Sequence, residues 1–215
     1  MITKPVVNQF NHAGLRIGIY QDEDPMTPDM WCDKSLFLAA SHPQFRVEGS
    51  VVKDPLDALC DNDCDPEISA RYHVFVLYAY IHSGVHLRLG ARWGEDDGTW
   101  EAPFDPGGWD TSRPGLVFAS RGEWPDDGAA EEAARSLVST WNDCLSGNVY
   151  RFLIEKPRRY VKTYLDDTGK PTGEFEEGVE WDSVDSCGGF IGDRSYCETE
   201  AKMAAEAKAR RRQGD

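Results

Sequence analysis

Apolar and polar positions alternate or cluster along the chain in short runs that predict β-strands. Residues 73–80 are almost continuously apolar and rich in β-branched and aromatic side chains, which is typical of a strand inside a sheet. Residues 85–89 alternate after a His-Ser-Gly turn and predict the second half of a hairpin. The same patterns predict strands over 15–20, 35–40, 115–120, 149–155, 160–165 and 179–187.

Helical periodicity is clear in one segment. Apolar residues recur at helical spacing from Ala130 to Leu145, aspartates precede them, and Gly147 is a natural stop. Asp54 and Pro55 fit the start of a short helical turn. The alanine-rich, highly charged C-terminus predicts a helix on the surface, with an arginine-rich end.

These elements predict an α+β fold with a mostly antiparallel β-sheet, one main packed helix, long irregular loops and a C-terminal surface helix. The longest irregular stretch is 93–114, and a hairpin turn with Gly169 is predicted over 166–173. We predict one α+β domain over residues 1–196 and a charged helix or tail over 197–215.

Charge adds the strongest global constraint. The chain has 38 acidic and 23 basic residues among 215, a formal net charge of -15. Such a surface repels nucleic acid and anionic membranes and favours a basic partner, including the basic groove of a DNA-binding protein. Solubility alone would also explain the charge. No export signal or membrane segment is recognisable, so we expect a cytoplasmic protein with its six cysteines as free thiols.

Tryptophans and carboxylates are interleaved in and beside the long irregular stretch. Tryptophans on loops are effective interface anchors, and acidic companions attract Lys and Arg. The alternative is that the tryptophans fold inward and cap the sheet. The candidate interaction surface consists of Trp93, Asp96, Asp97, Trp100, Asp105, Trp109, Asp110, Ser112 and Trp124.

The run DSCGGFIG at residues 185–192 places two nucleophile types beside a carboxylate and three glycines. A phosphate-binding cradle would lead into a helix N-terminus, whereas a polar stretch follows here. We therefore interpret the run as the end of a strand, with Cys187 as a buried, inert thiol. As an alternative, a small enzyme or ligand-binding protein would form a pocket from Asp110, Ser112, Asp185, Ser186 and Cys187.

Metal chemistry has one candidate set. Cys60, Cys64, His82 and His86 have pair spacings that suit tetrahedral zinc, although the linker is long and the histidines fall in a predicted hairpin. The acidic run at 61–67 fails as a calcium loop because its sixth position is Pro66. No nucleophile elbow, Walker loop or Rossmann fingerprint is found, and we expect no cofactor.

Four segments in order are HVFVLYAYIHSGVHL, WDTSRPGLVFASR, LSGNVYRFLIE and VDSCGGFIGD. Together they resemble a widespread group of small, acidic, bacteriophage-encoded proteins without an assigned biochemical role. The resemblance covers about residues 73 to 193. The chain departs from the group at Gly188, where a large aromatic is usual, and in an extended hairpin over 158–181. The resemblance implies a phage genome and the cytoplasm of a bacterial host.

These observations favour a non-enzymatic phage accessory protein that binds a host or defence protein. Mimicry of DNA charge is one form of that hypothesis, because carboxylates on a rigid body can occupy a basic groove. We expect no direct binding of nucleic acid or membrane by the acidic body. The sequence leaves the partner, the oligomeric state and the role of the arginine-rich end open.

Overall fold

The computed structural model describes residues 6–31, 35–47, 66–94, 104 and 109–213. Contacts divide the chain into two compact units. The central unit is Met26–Gly147, and the terminal unit combines Met1–Pro25 with Asn148–Asp215. The predicted helical turn at Asp54 lies outside the described residues.

The described chain consists mainly of strands, with three α-helices between or after them. In chain order they are β1 (Val6–His12), β2 (Leu15–Gln21), a 3-10 turn (Pro28–Met30), β3 (Leu36–His42), β4 (Phe45–Val47), α1 (Pro66–Arg71), β5 (Tyr72–Ile81), β6 (Val85–Arg92), β7 (Thr111–Ser120), α2 (Asp127–Leu145), β8 (Val149–Leu165), β9 (Pro171–Ile191) and α3 (Arg194–Gln213). The predicted α+β class is confirmed, with two antiparallel sheets in place of the one expected.

The central unit is built on a five-stranded antiparallel sheet in the order β4-β3-β7-β5-β6. Both faces of the sheet are covered, which explains why β5 is almost continuously apolar. Helix α2 packs its buried residues, among them Leu137 and Trp141, against one face. A second cluster around Phe118, Leu116 and Val74 fills the other face.

Helix α2 begins and ends as its sequence predicts. The side chain of Asp126 caps the helix by accepting a hydrogen bond from the Ala129 N–H at 2.9 Å. Near the other end, Asn142 donates to the Leu87 carbonyl at 2.9 Å and accepts from the Leu87 N–H at 2.7 Å. Because β6 is an edge strand, this amide occupies backbone groups that the sheet leaves unpaired.

The terminal unit contains a four-stranded antiparallel sheet in the order β1-β2-β8-β9. Leu15, Ile17 and Ile19 of β2 face helix α3, as the alternation in the sequence predicts. From α3, a stripe of small residues, Cys197, Ala201 and Ala205, is fully buried against the sheet. The described part of the chain contains no helix long and apolar enough to cross a membrane.

Two strands of the terminal unit are longer than the sequence pattern predicts. The predicted strands 149–155 and 160–165 form one strand, β8, which continues through Pro157. Residue 157 lies beyond Glu155, the last β8 residue paired with β2, so one side of the strand is open there. A strand tolerates a proline whose nitrogen faces a side without a neighbouring strand. Strand β9 runs from Pro171, well before the predicted start at Val179.

Strand β7 also starts earlier than expected, at Thr111, which shortens the predicted irregular stretch. Its pairing with β5 shifts between Ser112 and Gly115, and Pro114 lies at this bulge. A β-bulge accommodates a residue without an N–H. At Gly115 a Cβ atom would overlap the Ala39 carbonyl oxygen, so a side chain is excluded at this point of the pairing between β7 and β3.

Candidate interaction surface

A shallow depression of about 320 Å³ on the central unit contains three of the predicted surface residues: Trp109, Asp110 and Ser112. The turn between β3 and β4 contributes His42, Pro43 and Gln44 to its wall, and the end of β5 contributes Ile81. The sequence pattern does not indicate that this turn belongs to the surface, because its residues lie far from 109–112 along the chain. Sheet pairing of β7 with β3 and β5 brings the segments together.

The backbone at the rim of the depression is fixed by hydrogen bonds. The Ile81 N–H donates to the Asp110 carbonyl at 2.9 Å, and Thr111 pairs with Tyr80 in the sheet. The Asp110 carboxylate lies 3.4 Å from Nδ1 of His82. These contacts hold the start of β7 in place, so the side chains that precede the strand are presented from a rigid edge.

Trp109 is 91% exposed, whereas the other described tryptophans of the predicted surface are packed. Trp93 packs against the cluster around Phe118, and its backbone N–H donates to the Val74 carbonyl at 2.8 Å. Trp124 packs against the core under α2, as the inward-folding alternative predicts for it. The remaining predicted members, Asp96, Asp97, Trp100 and Asp105, lie outside the described residues.

The residues predicted to form the alternative pocket belong to different units. Asp110 and Ser112 belong to the central unit, and 185–187 belong to the terminal unit. Ser112 Oγ is 3.5 Å from the Ala79 carbonyl oxygen, its acceptor. Asp185 accepts from the Ser186 N–H at 3.0 Å and lies 3.1 Å from the Lys208 ammonium.

The DSCGGFIG run forms the end of edge strand β9, as interpreted, with Gly192 just after the strand, and it contains a bulge. Phe152 pairs with Cys187 but Tyr150 pairs with Phe190, so β9 has one extra residue there. Gly189 adopts a φ of 79°, a left-handed conformation that glycine accepts without strain. The glycines therefore shape the strand.

Cys187 is exposed, and the prediction of a buried thiol is wrong. An edge strand has no neighbour on one side, and the glycines beside Cys187 have no side chains to cover it. Its neighbour Cys197 on α3 is fully buried. Burial, with smaller contributions from Cys187 and Glu198, raises the pKa of the Cys197 thiol to about 12.

The candidate zinc set is only partly described. Cys60 and Cys64 lie outside the described residues. His82 faces Asp110, and His86 makes an edge contact with Phe104 at 5.7 Å between ring centroids. Among the residues that the structure describes, no group of three or more His, Cys, Asp or Glu side chains is arranged to hold a metal ion.

Polar side chains under the start of α2 form a hydrogen-bonded cluster that holds the helix on the sheet. His73 is fully buried and donates from Nε2 to the Trp124 carbonyl at 2.7 Å, and its Nδ1 lies 2.7 Å from the Arg92 guanidinium and 2.9 Å from the Asp127 carboxylate. Arg92 also holds both carboxylate oxygens of Asp127, at 2.6 and 2.7 Å. This arrangement fixes α2 on the sheet and lowers the pKa of Asp127.

Comparisons of the chain with models of known protein families, with curated proteins and with solved structures found no match.

Proposed function

We propose that this chain is a non-enzymatic, phage-encoded accessory protein that binds a basic protein in the cytoplasm of a bacterial host. In this proposal Trp109 and Asp110 anchor the contact. The observation that carries it is the 91% exposure of Trp109, which is followed in the sequence by the 40% exposed Asp110 side chain, at an edge whose backbone is held by the sheet.

The chemistry of the pair suits a Lys or Arg side chain. A cation over the face of an indole is attracted by the ring, and a neighbouring carboxylate adds an ion pair. The Asp110 side chain is 40% exposed and therefore accessible to such a cation. Exposed aromatic anchors that become buried on binding often dominate the energy of an interface.

The net charge of -15 adds long-range attraction toward a basic partner. Electrostatic steering speeds association and weakens as salt screens it. If the partner binds DNA through its basic surface, the chain would compete with DNA for it, which is the charge-mimicry form of the proposal.

The buried histidine of the central unit has a structural role. Both ring nitrogens of His73 are used to hold the backbone of Trp124 and the guanidinium of Arg92. A general base needs a nitrogen that reaches a substrate proton. This imidazole instead serves the attachment of α2.

Affinity capture from a host lysate, at low and high salt, would supply a partner that is then purified. Titration calorimetry would compare the wild-type chain with Trp109→Ala and Asp110→Asn. We expect affinity to fall about tenfold or more for each variant, since an anchor at an interface is worth about 2 kcal/mol. Met203→Ala on α3, 59% exposed, is the matched control and should bind as the wild type does. Equal affinity of all four chains would refute the proposed anchor.

A further inference from the structure

Strands β8 and β9 continue as a two-stranded ribbon beyond the terminal sheet. Strand β2 pairs with β8 only as far as Glu155, whereas β8 and β9 stay paired out to Leu165 and Pro171. The ten β8 residues from Lys156 to Leu165 span about 33 Å at 3.3 Å per residue. A two-stranded ribbon is marginally stable in water by itself.

One face of the ribbon is charged and satisfied within the chain. Arg158 contacts Glu180 at 2.6 Å and Asp182 at 3.2 Å. Tyr160 and Tyr164 both donate to Glu176, at 3.1 and 2.9 Å, and these bonds lower its pKa. This face therefore needs no partner.

The opposite face is apolar and open to solvent. Side chains alternate along a strand, so the odd-numbered residues of the paired segments share this face. Its exposed apolar residues, with their exposed fractions, are Val161 (62%), Leu165 (60%), Phe175 (65%), Val179 (51%) and Trp181 (36%). We call these five residues the ribbon stripe. At its base, Arg16 lies 4.1 Å from the centre of the Trp181 ring.

Two opposite charges interrupt the ribbon stripe, Arg159 on β8 and Glu177 on β9. Arg159 pairs with Val179, and Val161 pairs with Glu177, so the two charges occupy successive rows of the ladder. Among the described residues neither charge has an ion-pair partner. The face is thus electrically balanced, and a basic partner would gain little from it.

We propose that the ribbon stripe binds the same stripe of a second copy of this chain, forming a symmetric dimer. The two-fold axis lies between the two ribbons, parallel to their faces and perpendicular to the strands, midway between the rows of Arg159 and Glu177. It places Arg159 of each copy beside Glu177 of the other, and Trp181 over the other copy's Phe175. Such an isologous contact requires a self-complementary face, which a balanced charge pair within an apolar stripe provides.

The antiparallel arrangement also limits the repulsion between two chains of charge -15. It places the four-stranded parts of the two terminal sheets at opposite ends of the paired ribbons. That separation exceeds the Debye length of about 8 Å at physiological salt. The contact is smaller than the roughly 800 Å² per partner of a standard interface, so we expect a dimer that dissociates on dilution.

Sedimentation velocity on the purified chain, over a range of concentrations, tests the proposal without any host protein. Wild type should pass from monomer to dimer as concentration rises. Phe175→Ser, Arg159→Glu and Glu177→Arg should each weaken the dimer about tenfold or more. Met203→Ser, on α3, should not change it. Circular dichroism of each variant should match the wild type, because all four positions are exposed.

The decisive sample is an equimolar mixture of Arg159→Glu and Glu177→Arg. In the mixed dimer each altered residue lies beside an opposite charge of the other copy, so dimerisation should return at a concentration at which each variant alone is mostly monomeric. A wild-type chain that stays monomeric throughout, or a mixture that stays monomeric while wild type dimerises, overturns the proposal. Because no partner protein is present, this outcome is independent of the binding proposed for Trp109.

Discussion

The carboxylate of Asp22 accepts a hydrogen bond from the backbone N–H of Gly189 at 3.1 Å. Asp22 directly follows β2, and its own N–H donates to the Val149 carbonyl at 2.8 Å. One residue therefore fastens the end of β2 to both β8 and the bulge of β9. The glycine-rich run, which resembles an active-site loop in the sequence, therefore serves to connect the strands of the terminal unit.

Replacing Gly189 by alanine should destabilise the terminal unit by about 1 to 2 kcal/mol, because a side chain disfavours the left-handed conformation. Its φ is 79°. The measurement is chemical denaturation monitored by circular dichroism. Gly84→Ala is the control, since a Cβ atom there meets nothing within 4 Å and its φ is not in the left-handed region. Equal stability of both variants would contradict the role of the bulge.

The order of the strands along the chain could largely be predicted, because period-two alternation and apolar runs survive in β2, β5, β6 and β7. The length of β8 could not. Lys156, Pro157 and the two arginines after them predict an interruption between two strands. The ribbon, however, exposes both of its faces outside the sheet, so β8 accepts polar residues and a proline there. The division into two sheets could not be predicted either, because strands that are distant in the sequence pair with each other and the local pattern does not specify those partners.

Asn142 should contribute to stability far more than an ordinary surface polar residue. Its amide satisfies both backbone groups of Leu87, a residue 2% exposed. Asn142→Ala leaves these groups without that partner and should cost about 2 kcal/mol. Urea denaturation gives the comparison, with exposed Ser139→Ala on the same helix as control. If both variants unfold at the same urea concentration, the backbone N–H and carbonyl of Leu87 find other hydrogen-bond partners and the account of Asn142 is wrong.

The ion pair of Asp127 with Arg92 should make the central unit sensitive to acid. Hydrogen bonds from Arg92 hold the pKa of Asp127 below its ordinary value of 3.8, although burial opposes the shift. The unfolded chain therefore takes up a proton first as the pH falls. The stabilisation is fully present above the unfolded-state pKa and is lost as the pH falls through the folded-state pKa.

Urea midpoints measured from neutral pH down to acid should show this loss. Wild type should be more stable than Asp127→Asn at neutral pH, and the difference should shrink at pH values below the unfolded-state pKa. Glu132→Gln on the exposed side of α2 is the control. A difference that stays constant with pH would contradict the ion-pair account.

Cys187 and Cys197 should differ sharply in reactivity. Cys187 is exposed, whereas Cys197 is buried and its thiol has a pKa of about 12, so almost no thiolate is present near neutral pH. Brief alkylation of the folded protein, followed by peptide mass spectrometry, should find label on Cys187 and little on Cys197. In denaturant both should be labelled. Early labelling of Cys197 in the folded chain would mean that α3 separates readily from the sheet.

The sequence predicts the candidate surface only in part. The interleaved tryptophans and carboxylates predict an exposed Trp109, and the structure exposes it. Trp93 and Trp124 have the same local pattern and yet pack against the sheet, because tertiary contacts decide whether a side chain at the end of a strand is buried. The sequence alone does not predict the ribbon stripe, because Val161, Phe175 and Val179 share one face only in the register of the hairpin.

The central claim, that Trp109 anchors a partner protein, is tested most directly by a photo-crosslinking amino acid placed in the host cell at the exposed position Gln44, which lines the same depression as Trp109. Position 203 on α3, which is also exposed, carries the same amino acid in the control chain. The account predicts a specific crosslinked protein from position 44, absent from position 203 and lost when Trp109→Ala is added. No crosslink from position 44, or the same products from both positions, would contradict it.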